Sequence, residues 1–335
     1  MLRKVMVPLD GSPFAEQALS MAVMVTRRMN AHLHLVSVRV SLQLDALAPT
    51  AEDYVNGVAD RLEPELPGRI TRSVLTNERA PLEYPLARST VAEVVARHVT
   101  QADVDLVVMT THGRSGIRRA WLGSVADSLV RSVPRPILMI RPSDEQIGTA
   151  QESDRGIRHI LIPLDGSARA ERVFEYAQAL GEAFRARYTL LRVLSPLLLA
   201  PTTEWTGPHA AVSVPLQQPQ VATEYMEEVA ERMRAVNMEV APRLIESIAP
   251  GAAIVEFART HGADLIAMST GAAGGVRRLL LGSVADRVVR GSPVPVLVCN
   301  ARSIDAAMVA VPAPGFRRRA VSPARERVTQ PSRTR

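Results

Sequence analysis

The chain has 335 residues, a net charge of +6, 47% hydrophobic residues, one cysteine and seven histidines. At about 100–200 residues per domain that length suggests two domains, and no apolar run reaches the roughly 18 residues of a membrane span, so a soluble cytosolic protein is expected. A single cysteine excludes an internal disulfide, and the scattered histidines lack metal-ligand spacing.

In chain order, residues 4–10 read as a buried strand ending in Asp10-Gly11-Ser12. Ser12 followed by Pro13 is a helix start, and Phe14, Ala18, Met21, Ala22 and Val25 recur at helical spacing as far as about Met29. A second strand over 32–38, a helix over 51–63 and a third strand from Arg69 to Thr76 follow. An amphipathic helix is expected over 86–99 and a fourth strand over 105–109. A loop holding Gly113 and Gly116 then leads to Gly123-Ser124, a helix to about Arg131 and a fifth strand over 136–140. Strands alternating with helices of this length imply parallel pairing with right-handed crossovers.

Residues 142–156 lose all apolar periodicity and read as a linker, after which the order restarts at Ile160-Leu161-Ile162-Pro163-Leu164-Asp165-Gly166-Ser167. Helix 168–183, strand 188–194, helix 222–236, strand 240–246, helix 251–261, strand 264–268 and strand 294–299 repeat the first set. The copies are offset by 155 residues at Pro-Leu-Asp-Gly-Ser and by 159 at Gly-Ser, with the divergence concentrated in the proline-rich loop Ser195 to Val221. Residues 301–335 carry eight arginines against Asp305 and Glu326, so this tail holds the entire net charge and the rest is neutral. The tail reads as disordered, and without aromatics interleaved among its arginines it does not indicate specific nucleic-acid binding.

The most informative stretch runs from Val107 to Asp127: an apolar strand, a glycine loop, then a helix start. Glycine admits an oxyanion to the backbone N–H groups, and the free N–H groups of a helix start carry partial positive charge. The stretch recurs, with ten of fifteen positions identical between 122–136 and 281–295. Two readings stand at this point, a pair of anion sites or a duplicated packing motif.

Strand-Pro-Leu-Asp-Gly-Ser, then Thr-His-Gly-Arg-Ser-Gly about a hundred residues on, a nine-residue spacer, Gly-Ser-Val-Ala and a closing Pro-x-Pro strand resemble the universal stress protein domain. The resemblance covers about 1–141 and again 157–300, a tandem arrangement with a basic tail over 301–335. It implies two flavodoxin-like, adenine nucleotide α-hydrolase-like α/β domains, each a five-stranded parallel sheet of order 3-2-1-4-5 with helices on both faces. It further implies ATP, with or without magnesium, at the carboxyl ends of the strands. ATP-binding members carry Gly-x-x-Gly-(nine)-Gly-Ser/Thr. The first half has Thr110 in place of the leading glycine, followed by Gly113, Gly123 and Ser124. The second has Ser269-Thr270-Gly271-Ala272, then Gly282 and Ser283, with both leading glycines replaced, so the first site is expected to be the better preserved.

By the same resemblance, Asp10 and Asp165 accept from ribose or adenine, beside Pro8 and Pro163 in the same strands. Val38 and Val193 wall the adenine, with Met109 and Met268 behind. Gly113, Gly123, Ser124 and Val125 in one half, and Ala272, Gly282, Ser283 and Val284 in the other, offer donors to phosphate, next to Thr110 and Ser269. Each aspartate has a plainer reading as the cap of the turn before its helix, and each Gly-Ser as a bare helix start. No catalytic residue is identified. The absence of Gly-x-x-x-x-Gly-Lys-Ser/Thr disfavours an ATPase beyond slow hydrolysis, and an interaction module without nucleotide is the other alternative. Pairing of the two fifth strands would make an internal pseudo-dimer and remove two sheet edges, with further homodimerisation left open.

Overall fold

A computed structural model describes residues 2–39, 50–76, 90–111, 122–142, 156–196, 218–270 and 282–300. The first half runs β1 (Lys4–Leu9), α1 (Pro13–Met29), β2 (His32–Arg39), α2 (Ala51–Leu62), β3 (Ile70–Thr76), α3 (Val91–Gln101), β4 (Leu106–Thr110), α4 (Ser124–Ser132) and β5 (Ile137–Ile140). The second runs β6 (His159–Pro163), a 3-10 turn (Ala170–Val173), α5 (Phe174–Phe184), β7 (Arg187–Leu194), α6 (Pro219–Arg234), β8 (Val240–Glu246), α7 (Pro250–Thr260), β9 (Leu265–Ser269), α8 (Ser283–Gly291) and β10 (Val296–Cys299).

The ten strands form one sheet, ordered β3-β2-β1-β4-β5-β10-β9-β6-β7-β8. Within each half the order is the 3-2-1-4-5 expected from sequence, and every pair is parallel. At the centre β5 and β10 run antiparallel, with Leu138 opposite Leu297. The fifth strands therefore meet, as the cost of open edges leads one to expect, and neither is left unpaired. Fully buried strands such as β4 and β10 are continuous apolar runs because helices cover both faces. One core lies under α1, α2, α5 and α6, the other under α3, α4, α7 and α8. Asn300, just past β10, is buried and donates from Nδ2 to the carbonyls of Val130 and Val133 at 2.6 and 2.9 Å. It thereby closes the last turn of α4 across the seam. Cys299 is fully buried, and burial raises its thiol pKa, so it is an inert core residue.

Helix starts follow local chemistry. Ser12 accepts from the N–H of Ala15 at 3.2 Å ahead of Pro13, and Thr50 with Asp53 forms a capping box. A second box, Thr90 with Glu93, fixes the start of α3 at Val91. The helix expected from residue 86 is corrected accordingly, its first four residues lying outside those described. In the second half the helix expected from residue 168 starts with a 3-10 turn. Ser167 still accepts from the N–H of Ala170 at 3.2 Å, but Ala168 stands where Pro13 sets φ in the first copy, and the first turn tightens.

The first half contains a histidine pair. His34 Nε2 lies 2.8 Å from His98 Nε2, and His34 Nδ1 lies 2.8 Å from Thr71 Oγ1. One proton serves the contact between the rings; a second would set two donors face to face. Burial, then the charges of His98 and Lys4, lower the His34 pKa to about 4, and His98 is lowered as well, by burial and then Lys4. Because the folded pKa lies below the unfolded value of about 6.5, stability is complete above pH 6.5 and lost as pH falls towards 4. The expected loss is about 2 kcal/mol between pH 7.5 and 4.5. It should shrink in a His34→Thr/His98→Phe variant, which copies Thr189 and Phe257 of the second half; urea unfolding at the two pH values tests this, and an equal loss in both proteins would refute it.

Candidate nucleotide site

The carboxyl ends of β1 and β4, and of β6 and β9, lie side by side where the strand order reverses. Open α/β sheets bind ligands at such points. Just beyond β1, Gly11 takes φ +82°, and beyond β6 Gly166 does the same. That left-handed turn is why glycine follows each aspartate. Asp10 Oδ1 accepts from Ser12 N at 2.9 Å and Ser12 Oγ at 2.6 Å, and Asp165 Oδ1 accepts from Ser167 N and Oγ at 2.9 and 2.5 Å. One oxygen of each aspartate thus holds the turn that starts the helix, which is the plainer role read from sequence. Asp10 is half-buried and Asp165 exposed, next to the half-buried Pro8 and Pro163.

Asp10→Ala is expected to cost about 1–2 kcal/mol through lost turn bonds alone. Asp10→Asn keeps an acceptor at Oδ1 and should cost much less. Comparing the two by thermal unfolding separates the turn from the charge; equal destabilisation would refute the turn role.

Next to β1 and β6 run β2 and β7, where Val38 and Val193 are half-buried. Met109 and Met268 are 7% and 6% exposed, so they lie in the core beneath the rim and not on its surface. Thr110, in the place of a glycine, is buried at 5% exposure. Its neighbour Thr111 donates its N–H to the carbonyl of Ile140 at 2.9 Å and accepts the N–H of Gly123 at 2.9 Å. The N–H of Gly123 is therefore committed to closing the loop base, and the donors that face outward begin at Ser124. In the second half Thr270 donates to the carbonyl of Cys299 at 2.7 Å, and Ser269 Oγ makes a long contact, 3.5 Å, to the Ala170 carbonyl.

α4 and α8 differ from α1, α2 and α3 in having a glycine at the N-cap, φ −57° in both, and so no side-chain cap. Ser124 and Ser283 are exposed, Val125 is 38% exposed and Val284 half-buried. A Cβ built onto Gly282 would meet nothing within 4 Å. Among the described residues, nothing is packed against the position such a Cβ would take at the start of α8. Asp127 and Asp286 do not cap these helix starts; they pair along the helix with Arg131 and with Arg290, the latter at 2.7 Å. Gly113 and Ala272 lie outside the described residues.

The sequence profile of the universal stress protein family matches residues 1–141 and 156–300. This chain belongs to the universal stress protein family. A universal stress protein of Mycobacterium tuberculosis is 28% identical over 203 residues, 59% of this chain and 62% of that protein. This chain thus spans under two thirds of that relative's length. One from Synechocystis is 24% identical over 322 residues, 88% of this chain and 99% of its own. Among solved structures, a universal stress protein from Archaeoglobus fulgidus overlays with a TM-score of 0.61 at 18% identity, covering 89% of this chain and 98% of that one. At that identity the overlay speaks for the fold, which is the tandem one described above.

Two features of this universal stress protein were not read from its sequence. Tyr54, Glu16 and Arg61 form a hydrogen-bonded triad beside Asp10, repeated as Tyr225, Glu171 and Arg232 beside Asp165. The signal was present but shifted, since these residues are 155 positions apart at the glutamate and 171 at the tyrosine and arginine. The other is Arg192, a charged residue 4% exposed in the middle of apolar β7.

Proposed function

We propose that this universal stress protein binds ATP at the rim of each half and acts through that occupancy as a regulatory protein of the cytosol, read by protein partners, with no catalytic residue of its own. The supporting observation is the start of α8, set at the reversal point of the sheet: an exposed Ser283, and, among the described residues, no side-chain cap on the first turn and nothing within 4 Å of a Cβ at Gly282. The ligand sets polyphosphate charge against those amides and its sugar towards Asp165, and the first half repeats the plan with Ser124, Val125 and Asp10. We further assign residues 1–141 and 157–300 as the two domains, 142–156 as linker and 301–335 as a basic tail. Among the described residues no group of three or more His, Cys, Asp or Glu side chains could hold a metal, and no helix is long and apolar enough to cross a membrane. A magnesium ion would therefore arrive with the triphosphate.

Titration of purified protein with ATP tests the reading. Saturable binding without turnover is expected, turnover above background would make it an enzyme, and no binding would leave an interaction module. The buried Thr110 at a position the family fills with glycine favours that last reading over the enzyme.

A further inference from the structure

The two polar clusters beside the rim aspartates match at every position but one. In the first, Tyr54 Oη donates to Glu16 at 3.0 Å and Arg61 Nη2 to the same carboxylate at 2.6 Å. In the second, Tyr225 Oη donates to Glu171 at 3.0 Å and Arg232 Nη2 to it at 2.8 Å. Burial, then the glutamate, then the charge of the rim aspartate raise the pKa of each phenol. The odd position is Ser37 on β2, 5% exposed, against Arg192 on β7, 4% exposed. Arg192 Nη1 donates to the carbonyl of Leu164, the residue before Asp165, at 3.2 Å. Burial opposes its charge, while Asp165 and then Tyr225 support it, and a guanidinium stays protonated in such settings. The first cluster, with Asp10, Glu16 and Arg61, carries one net negative charge; the second, with Asp165, Glu171, Arg192 and Arg232, is balanced.

We infer, on the proposal that both rims bind nucleotide, that Arg192 fits the second site to an adenine nucleotide carrying a phosphate on its ribose, while the first takes a ribose with both hydroxyls free. A carboxylate at the sugar end accepts from hydroxyls and repels a phosphate. In dinucleotide sites at such sheet reversals, a nearby arginine is what accommodates a phosphate on the ribose 2′ oxygen. Arg192 is buried beneath the rim, so it acts through Asp165 and through its field, as a specificity-determining and positioning residue rather than a contact.

The probes are AMP and adenosine 2′,5′-bisphosphate, which differ only in the ribose 2′-phosphate, titrated calorimetrically into the full chain with ATP as control. One equivalent of bisphosphate is expected to bind about tenfold tighter than AMP, the scale of one unit charge acting through a partly screened site. Arg192→Ser should remove that preference and keep ATP binding, and Arg192→Lys, which retains the charge, should keep most of it. Ser37→Arg should confer the preference on the first site, a gain that impaired folding cannot mimic. Native protein and Arg192→Ser discriminating equally, with ATP still bound by both, would overturn the inference and leave nucleotide binding standing. Failure of all three nucleotides to bind would overturn both.

Discussion

Leu138→Ala is expected to lower the stability of the whole chain by about 2–5 kcal/mol, and Leu138→Asp to leave no folded protein. Leu138 is fully buried, opposite Leu297 in the antiparallel β5–β10 pair and beside Val108 in the parallel β4–β5 pair. Truncation opens a cavity where the two halves of one sheet join, and a carboxylate there has no described partner to offset its desolvation. Asn300→Ala should add about 1–3 kcal/mol, because two carbonyls at the end of α4 lose a buried donor. Urea unfolding followed by circular dichroism reads both. A single transition moved to lower denaturant is expected, since the core under α1 and α5 is continuous across the seam and Arg28 lies 5.8 Å from the ring centroid of Phe184. A Leu138→Ala midpoint within error of the native one, or two separated transitions with only the first shifted, would show that the seam does not tie the halves together.

The same seam shows why so much of the architecture could be read from residues alone. Runs such as Leu-Val-Val-Met-Thr and Val-Leu-Val-Cys are apolar at nearly every position, as a short strand covered on both faces requires. Repetition then fixed the order of the elements twice. What periodicity did not carry was length between elements. The halves differ by 155 positions at the first strand, 171 at Tyr54 and Tyr225, 170 at β3 and β8 and 159 at α3 and α7. A net drift of four therefore conceals a longer connection before α6 in one copy and a longer one before α3 in the other. Loops carry no period from which such lengths could be read. The start of α3 was legible in principle, because Thr90-x-x-Glu93 is a capping box, but Leu86 upstream of it drew the helical pattern too far back.

The two rims lie at opposite ends of the sheet, because β5 and β10 run antiparallel, and at each of them several groups that motif spacing picked out are engaged by the fold itself. The N–H of Gly123 closes the loop onto Thr111, and Oδ1 of Asp10 holds the turn into α1. Those commitments depend on where neighbouring carbonyls and hydroxyls fall, which a linear pattern does not contain. Arg192 escaped for the opposite reason. A lone charge within a strand reads as one more surface residue until the strand proves to be covered by α6 on that face, and only the first half's Ser37 shows how unusual it is.

Gly282→Ala is expected to cut ATP affinity at the second site at least about tenfold while leaving the fold unchanged. The residue sits at φ −57°, where alanine is unstrained, and its Cβ would meet no described residue within 4 Å. Replacing glycine removes entropy from the unfolded chain, while alanine is the poorer N-cap, so the two terms largely offset and the variant should stay within about 1 kcal/mol of the native protein. Affinity is thus expected to fall while stability holds, because a methyl group standing before the first-turn amides blocks an anion. Gly123→Ala applies the same substitution at the start of α4, and because the first loop retains Gly113 it should remove the tighter of two binding events. Calorimetric titration with ATP beside thermal unfolding reads the pair. If both variants bind as the native chain does, no phosphate lies against these helix starts, and their open face belongs to packing alone. If instead Gly282→Ala loses stability along with affinity, the space before α8 is filled by the chain itself and the loss carries no information about a ligand.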